Sequence, residues 1–444
     1  MYTSMFRKAM LGDTATLNLD FTTGTLDSRL TFTRAANTAT YINSSGYVTT
    51  AAANTPRFDY DPATLAPRGL LIEGENKNYF LYSSLLSNVT WQAGTGGAND
   101  VTMTYPAAGI TDPSNGSNAG LLNKPNTSSG YGFFRQTSMS TGSVSGTRTI
   151  SCWFKQPTTN AARYVGLRCT GNGFAPANPD WCATFDLQTG TVVANVGTSY
   201  YTNVSISAYP NGWYRCSATS GSMGSAATVL AAAAIVDPYY GQEYNLIQGA
   251  TYIWAPQVEL GSGASSYIST GASQVTRNGD SCVMTGTNFS SWFAGATEGV
   301  LFAEYEKPRS QSGNAAHDFM AIGSRYTTGA GLIVYASNSN YYPTAILWPT
   351  GGAVFGGGIA TAIPSVTKQA AKWFGGNDVT NYSNGVVGTT GAGTGTLTPA
   401  MLSFGANSAT GTEATRDWLN ACIRRVKFYP TALSDAAIQT LTTT

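Results

Sequence analysis

The sequence TFTRAANTATYINSSGYVTTAAANTPRFDYDPATLAPRGLLIE occupies residues 31–73 and consists of short runs, rich in Thr, Tyr, Val and Ile, that turn residues separate. Runs of this length and composition are typical of β-strands. One turn lies at Asn43–Gly46, and a second at Asp61-Pro62 predicts a hairpin of Arg57–Tyr60 with Arg68–Glu73. The stretch therefore predicts a series of short paired strands.

The same pattern extends through the rest of the chain. FDLQTGTVV predicts a second hairpin with Thr189-Gly190 at its turn, and short strands with regularly spaced turns are typical of sandwiches and jelly rolls. At the end of the chain, LSDAAIQTL predicts a helix that Ser434 caps, with Leu433, Ala437 and Leu441 on one face. We therefore predict an all-β fold of β-sandwich or jelly-roll modules with a short terminal helix.

The composition supports this fold class and argues against several functions. Of the 444 residues only 11% are charged, while 50 are Gly and 25 are Tyr, which suits tight turns and half-buried strands. The 24 Lys and Arg are scattered and the net charge is +1, so no nucleic-acid partner is expected. The longest apolar stretch, Val229–Val236, is far shorter than the about 20 residues that span a bilayer, so no membrane insertion is expected. Too few apolar residues follow Arg7-Lys8 for a secretory signal, so ordinary secretion is not expected either.

The cysteines show no CxxC pair, and no cluster of histidines accompanies them, so neither a metal nor another cofactor is predicted. Cys152 and Cys216 alternate with apolar residues in predicted strands, as buried small hydrophobic side chains do. We therefore expect free thiols rather than disulfides at all six positions, which are Cys152, Cys169, Cys182, Cys216, Cys282 and Cys422.

Changes in pattern along the chain predict four regions. Residues 1–13 lack any period and are predicted to be a leader that becomes ordered against a partner. Residues 14–78 are predicted to be a β segment for assembly, and residues 79–275 a sandwich module. After a Ser/Gly-rich junction at Gly261–Gly279, residues 276–444 are predicted to form the second large module.

Few residues invite catalysis. The single histidine, His317, lies beside Asp318 in a polar stretch and is interpreted as an exposed loop residue without triad partners. Glu304 and Glu306 share one face of a predicted strand with Val300 and Phe302, and such a pair could act on a glycan. A solvated strand end is the simpler interpretation of the pair. GAGTGT at 391–396 has no following helix or Lys, so it predicts a flexible turn rather than a phosphate site.

Glycan binding without catalysis would need exposed aromatic rings beside hydroxyl and amide groups. Five aromatic residues in turn-rich contexts are the candidates, although core packing explains each of them equally well; they are Tyr239, Tyr240, Tyr341, Tyr342 and Trp348.

Residues 31–82 closely resemble a segment that recurs in tail-fibre, tail-spike and head-spike proteins of tailed bacteriophages. The resemblance rests on TFTRA, TATY, PRFDYDP and RGLLIE in that order. Residues 251–280, TYIWAPQVELGSGASSYISTGASQVTRNGD, resemble the end of the sandwich module that often follows this segment. Residues 289–444 resemble a concanavalin-A-like lectin domain.

The resemblance implies a non-enzymatic virion protein that is assembled in the bacterial cytoplasm and exposed on the particle surface, with host surface polysaccharide as a partner. It also implies a homo-oligomer, with a trimer as the first expectation, that joins other virion proteins through residues 1–78. Within the segment, Arg57, Asp59, Asp61 and Arg68 are expected to be hairpin and subunit-contact residues. A capsule-degrading tail-spike glycanase and a bacterial carbohydrate-binding module protein remain the alternatives. Since residues 14–78 contain too little chain to close a sandwich, we expect a neighbouring subunit to cover their edges, and deletion of residues 1–78 to leave two folded sandwiches.

Overall fold

The computed structural model describes residues 14–36, 38–94, 101–125, 132–140, 146–171, 182–193, 201–221, 228–235, 248–306, 317–322, 331–336, 342–350, 352–360, 365–395, 397–404 and 420–443. Within these residues the chain is all-β, as predicted, with two short α-helices. The predicted leader, residues 1–13, lies outside the described residues.

The strands of the first part of the chain are β1 (Leu17–Asp20), β2 (Thr31–Thr33), β3 (Ala39–Ile42), β4 (Val48–Ala51), β5 (Arg57–Tyr60), β6 (Pro67–Ile72), β7 (Asn76–Asn78), β8 (Gln92–Ala93), β9 (Thr102–Thr104) and β10 (Gly120–Lys124). Those of the middle part are β11 (Phe133–Ser140), β12 (Arg148–Lys155), β13 (Tyr164–Gly171), β14 (Ala183–Asp186), β15 (Thr191–Val192), β16 (Tyr201–Tyr209), β17 (Trp213–Ser220), β18 (Thr228–Ile235) and β19 (Gly249–Leu260).

The last part contains β20 (Val275–Arg277), β21 (Ser281–Thr285), β22 (Gly299–Glu306), β23 (His317–Ile322), β24 (Gly331–Ala336), β25 (Pro343–Trp348), β26 (Val354–Gly356), β27 (Val366–Phe374), β28 (Asp378–Ser383), β29 (Val386–Gly391), β30 (Met401–Phe404) and β31 (Ala421–Tyr429). The helices are α1 (Gly286–Phe293) and α2 (Asp435–Thr442), and 3-10 turns lie at Phe21–Thr23 and Pro210–Gly212.

The middle sandwich consists of two antiparallel sheets, ordered β16-β17-β12-β19-β10-β9 and β15-β14-β13-β18-β11-β8. Alternate residues of β12, such as Ile150 and Phe154, point into a core that Leu167 and Phe185 of the facing sheet complete. Because side chains alternate between the two faces of a strand, these strands could be predicted from the sequence. The predicted hairpin is present as β14–β15, with Gly190 in the left-handed region at φ +67°.

The C-terminal sandwich has one sheet ordered β29-β28-β27-β22-β31-β6-β5, with β1 beside β31, and a second sheet ordered β2-β21-β30-β23-β24-β25-β26. Their inner faces bury Leu301, Tyr305 and Phe428 together with Trp292 of α1. Ser434 accepts the Ala437 N–H at the start of α2, as predicted. Helix α2 covers the outer face of the first sheet through Ile438, which the sequence pattern missed.

The prediction that residues 14–78 form a separate segment is wrong. Strands β1 and β6 pair with β31, β2 pairs with β21, and β5 pairs with β6, so these strands belong to the C-terminal sandwich. Two elements pack elsewhere: β7 pairs with β20, and the β3–β4 hairpin places Ile42 and Val48 in one buried cluster with Trp153, Trp213 and Trp254 on the outside of the middle sandwich. Strands β1 and β6 are therefore paired by β31 of this chain, while β2 and β5 are the outermost strands of their sheets.

The connection between the two sandwiches is packed rather than exposed. It includes the Ser/Gly-rich stretch 261–279, where Ser265, Ser266, Tyr267 and Ile268 are buried, and β20 pairs with β7. All six cysteines are buried and free, which confirms that prediction.

Candidate functional site

Five charged side chains meet where the two sandwiches join, and none exposes more than 1% of its surface. They are Arg34, Arg57, Glu73, Arg277 and Asp280, and we call them the charge cluster. At its centre, Arg57 donates from Nη1 to Glu73 Oε2 at 2.7 Å and from Nη2 to Asp280. Arg34 donates to Asp280 Oδ1 at 3.0 Å, and Arg277 Nη1 lies 3.1 Å from Glu73 Oε2. Both carboxylates are thus shared between guanidinium groups.

The surroundings of the cluster shift the pKa values of its arginines in opposite directions. Burial by itself lowers the pKa of Arg57, but the charges of Asp280 and Glu73 outweigh burial and raise this pKa. For Arg34 and Arg277 burial is the larger effect and lowers the pKa of each. Because each carboxylate of the cluster is buried and paired with two arginines, neither is placed to react with a substrate. The cluster therefore stabilises the contact between the two sandwiches. Arg57 was expected at a subunit contact, which its complete burial within the chain contradicts.

The other signature residues of the β5–β6 hairpin are also held within the chain. Asp59 accepts the Ile42 N–H at 2.6 Å and Arg68 Nη1 at 3.1 Å, which ties β3 to the hairpin. Asp61 accepts the Thr64 N–H at 2.8 Å, as the predicted turn requires. Asp59, Asp61 and Arg68 thus make contacts within the hairpin or from it to β3.

The acidic pair Glu304 and Glu306 is occupied by arginines. Glu304 accepts from Arg424 Nε at 3.1 Å and from Arg425 Nη1 at 2.9 Å. Glu306 accepts Arg68 Nε at 2.8 Å. Glu304 is only 7% exposed, so the interpretation as a solvated strand end is wrong for this residue. A substrate could reach Glu304 only if these ion pairs were broken.

The two aromatic candidates that the structure describes, Tyr342 and Trp348, do not share one site. Tyr342 precedes β25 and Trp348 ends it, so the two half-buried side chains lie about 20 Å apart at opposite ends of the strand. Tyr239, Tyr240 and Tyr341 lie outside the described residues.

Two further sequence interpretations are corrected. His317, with Asp318 after it, begins β23 rather than lying in a loop. The first residues of the predicted flexible turn at 391–396 are closely packed. A Cβ at Gly391 would overlap the Phe355 carbonyl, and one at Gly393 would overlap Val354.

A groove of about 870 Å³, which the sequence did not reveal, opens at one end of the C-terminal sandwich. It lies between α1 and the segments around Asn377 and Leu397–Ala400. Sheet register places Trp348 at this same end, about 14 Å from Met401 and three strands away. The signal in the sequence was GTNFSSWFAGAT, in which exposed hydroxyl residues alternate with aromatic ones on a helix that we did not predict.

Within the described residues, no group of three or more His, Cys, Asp or Glu side chains is placed to hold a metal ion. In that part of the chain, no helix has the length and apolar character needed to cross a membrane.

No family model matches the chain, and no curated protein matches it. Among solved structures, the chain is similar to the CBM40 of the Ruminococcus gnavus IT-sialidase bound to α2,3-sialyllactose, with 16% identity and a TM-score of 0.27 over 33% of this chain and 82% of that one. The receptor-binding domain of botulinum neurotoxin type G gives 9% identity and a TM-score of 0.26 over 36% of this chain and 39% of that one. Domains LG4-5 of the mouse laminin α1 chain give 10% and 0.23 over 75% and 92%.

Proposed function

We propose that this chain is a non-enzymatic structural protein of a tailed-phage particle that presents its β-sandwiches to the host surface and binds glycans there. One observation carries the proposal. The segment that resembles fibre and spike proteins supplies Arg34 from TFTRA, Arg57 from PRFDYDP and Glu73 from RGLLIE, and these three residues meet in the charge cluster. The motif residues thus join two sandwiches into one unit, which suits a protein on the surface of a particle.

The non-enzymatic part of the proposal is supported by the arginine partners of Glu304 and Glu306. A retaining or inverting glycosidase needs two carboxyl groups that can reach the glycosidic bond. If the chain were a glycanase, it would release reducing ends from a bound polysaccharide, and Glu304→Gln or Glu306→Gln would abolish that release. We expect no release from the wild-type protein, measured with purified protein and host capsule or O-antigen.

The virion role is tested on the particle itself. We expect mass spectrometry of purified phage particles to detect the chain, and antibody-labelled electron micrographs to place it on the head or on the tail. Its absence from purified particles that infect normally would overturn the virion assignment. Light scattering of the full chain tests the homotrimer that the resemblance implies, and a monomer at micromolar concentration would contradict that expectation.

A further inference from the structure

The groove beside α1 has the composition of a binding site for an uncharged ligand. Among the residues that the structure describes, the fifteen that line it include no ionisable side chain. Phe289 and Phe293, whose rings stack 5.1 Å apart, form its floor together with the half-buried Leu397 and Pro399. A charged ligand would lose water here and gain no opposite charge, whereas an uncharged ligand would lose less.

The polar groups of the groove are hydroxyls and an amide. Thr287, Ser290 and Thr297 are exposed, and their hydroxyls have no hydrogen-bond partner among the described residues. Asn377 donates an amide N–H to the Gly395 carbonyl, and this bond fixes the orientation of its side chain. Its Oδ1 accepts no hydrogen bond from the described residues. An apolar floor with a few oriented polar groups is the usual composition of a small-molecule site.

Sugars combine these two properties, since their C–H faces are apolar and their hydroxyls donate and accept hydrogen bonds. We propose that this groove is the glycan-binding subsite of the chain and that it takes a neutral oligosaccharide. The inference rests on the proposed function and adds the position of the site and the charge of its ligand. Trp348, at the same end of the sandwich, lies outside the groove and can contact a ligand that extends beyond it.

The test compares two tryptophan substitutions on α1. Ser290→Trp fills the groove, whereas Ser291→Trp places the same side chain on an exposed neighbour that does not line it. An array of neutral and acidic bacterial surface oligosaccharides is first probed with the wild-type chain, and the best neutral ligand is then titrated calorimetrically. We expect Ser290→Trp to weaken binding at least tenfold and Ser291→Trp to change it less than twofold.

A second variant covers the case in which Ser290→Trp fails to fold. Thr287→Ala with Thr297→Ala removes two hydroxyls that make no hydrogen bond to another described residue, so the melting temperature should stay close to that of the wild type while the affinity falls about threefold to tenfold. If the wild type binds a neutral glycan and both groove variants bind equally well, the groove assignment is wrong while the proposed function stands. If the wild type binds only acidic glycans, the ligand class is wrong, and if it binds none, the glycan part of both proposals fails. A change in oligomeric state with intact glycan binding would make the groove a contact between copies of the chain.

Discussion

At the scale of single residues, burial decides what each ion pair contributes. Arg57 is enclosed with Glu73 and Asp280, so its removal would leave two fully buried carboxylates short of a partner. Arg163, which pairs with Asp186 at 2.8 Å, keeps 47% of its side chain exposed, so solvent would replace the lost partner. Loss of a buried arginine should therefore destabilise the fold more than loss of an exposed one.

We predict that Arg57→Met destabilises the fold by about 3–5 kcal/mol, the usual cost of breaking a buried ion pair. The measurement is the urea midpoint of unfolding, followed by circular dichroism. Arg163→Met is the matched control and should leave the midpoint close to that of the wild type. Equal midpoints for the two variants would show that the charge cluster does not hold the sandwiches together.

Gly69 is a second residue whose importance lies in its surroundings. It has φ +102°, and a Cβ there would overlap the Ile423 carbonyl of β31. Gly352 has φ +114°, but a Cβ there would meet no atom of a described residue within 4 Å. We predict that Gly352→Ala costs about 1–2 kcal/mol through its backbone conformation alone, and that Gly69→Ala costs about 1–3 kcal/mol more through the overlap. Thermal unfolding of both variants separates the two effects, and equal losses would contradict the close approach of β6 to β31.

At the scale of elements, the sequence predicted the strands that alternate apolar and polar residues and missed the element that does not. Strands β3 to β6 and their turns were legible because each turn carries Gly, Asn or Asp-Pro. Helix α1 was missed because GTNFSSWF contains few strong helix formers and spans only two turns. It is stabilised by burial of Phe289, Trp292 and Phe293, which is a tertiary effect.

The terminal helix α2 has a charge contact that makes its docking depend on pH. Asp435 accepts from Lys372 Nζ at 2.8 Å and from the Tyr382 hydroxyl at 2.7 Å, and these bonds hold the pKa of Asp435 below its usual 3.8. A carboxyl whose pKa is lower in the folded chain stabilises the fold above its unfolded pKa, and this contribution disappears as the pH falls through the folded pKa. Acid should therefore weaken the attachment of α2.

We predict that Asp435→Asn lowers stability at pH 7 by at most about 1 kcal/mol, because the carboxylate is 63% exposed. The difference from the wild type should shrink steadily as the pH is lowered below about 4. Melting temperatures measured from pH 7 to pH 3 test this, and Lys372→Met should flatten the same profile. A difference that grows as the pH falls would reverse the assigned sign.

At the scale of the whole molecule, strands from the N-terminal part of the chain pair with a strand near its C-terminus. Strand β31 near the C-terminus carries β1 and β6 along one edge, and β22 lies along the other. Such pairing over long sequence separations leaves no trace in local pattern, so the sequence predicted these strands but placed them in the wrong unit. The charge cluster could not be predicted for the same reason. Nothing in the local sequence of Arg34, Glu73 or Asp280 distinguishes these residues from surface charges. The groove was likewise invisible, since α1 and Asn377 come together only in the folded sandwich.

This topology reverses the expectation for a truncated chain. Deleting residues 1–78 would remove β1, β2, β5 and β6 from the C-terminal sandwich, along with Arg34, Arg57 and Glu73 of the charge cluster. It would also uncover Trp153 and Trp213 on the middle sandwich, where the β3–β4 hairpin packs. We therefore predict that the truncated protein is aggregated or protease-sensitive, with weak near-ultraviolet circular dichroism. Deleting residues 1–13 alone removes none of these contacts and should leave a cooperative melting transition like that of the full chain. A sharp transition and protease resistance in the chain that begins at residue 79 would show that the two sandwiches fold without the segment, and would contradict the role assigned to β1, β2, β5 and β6.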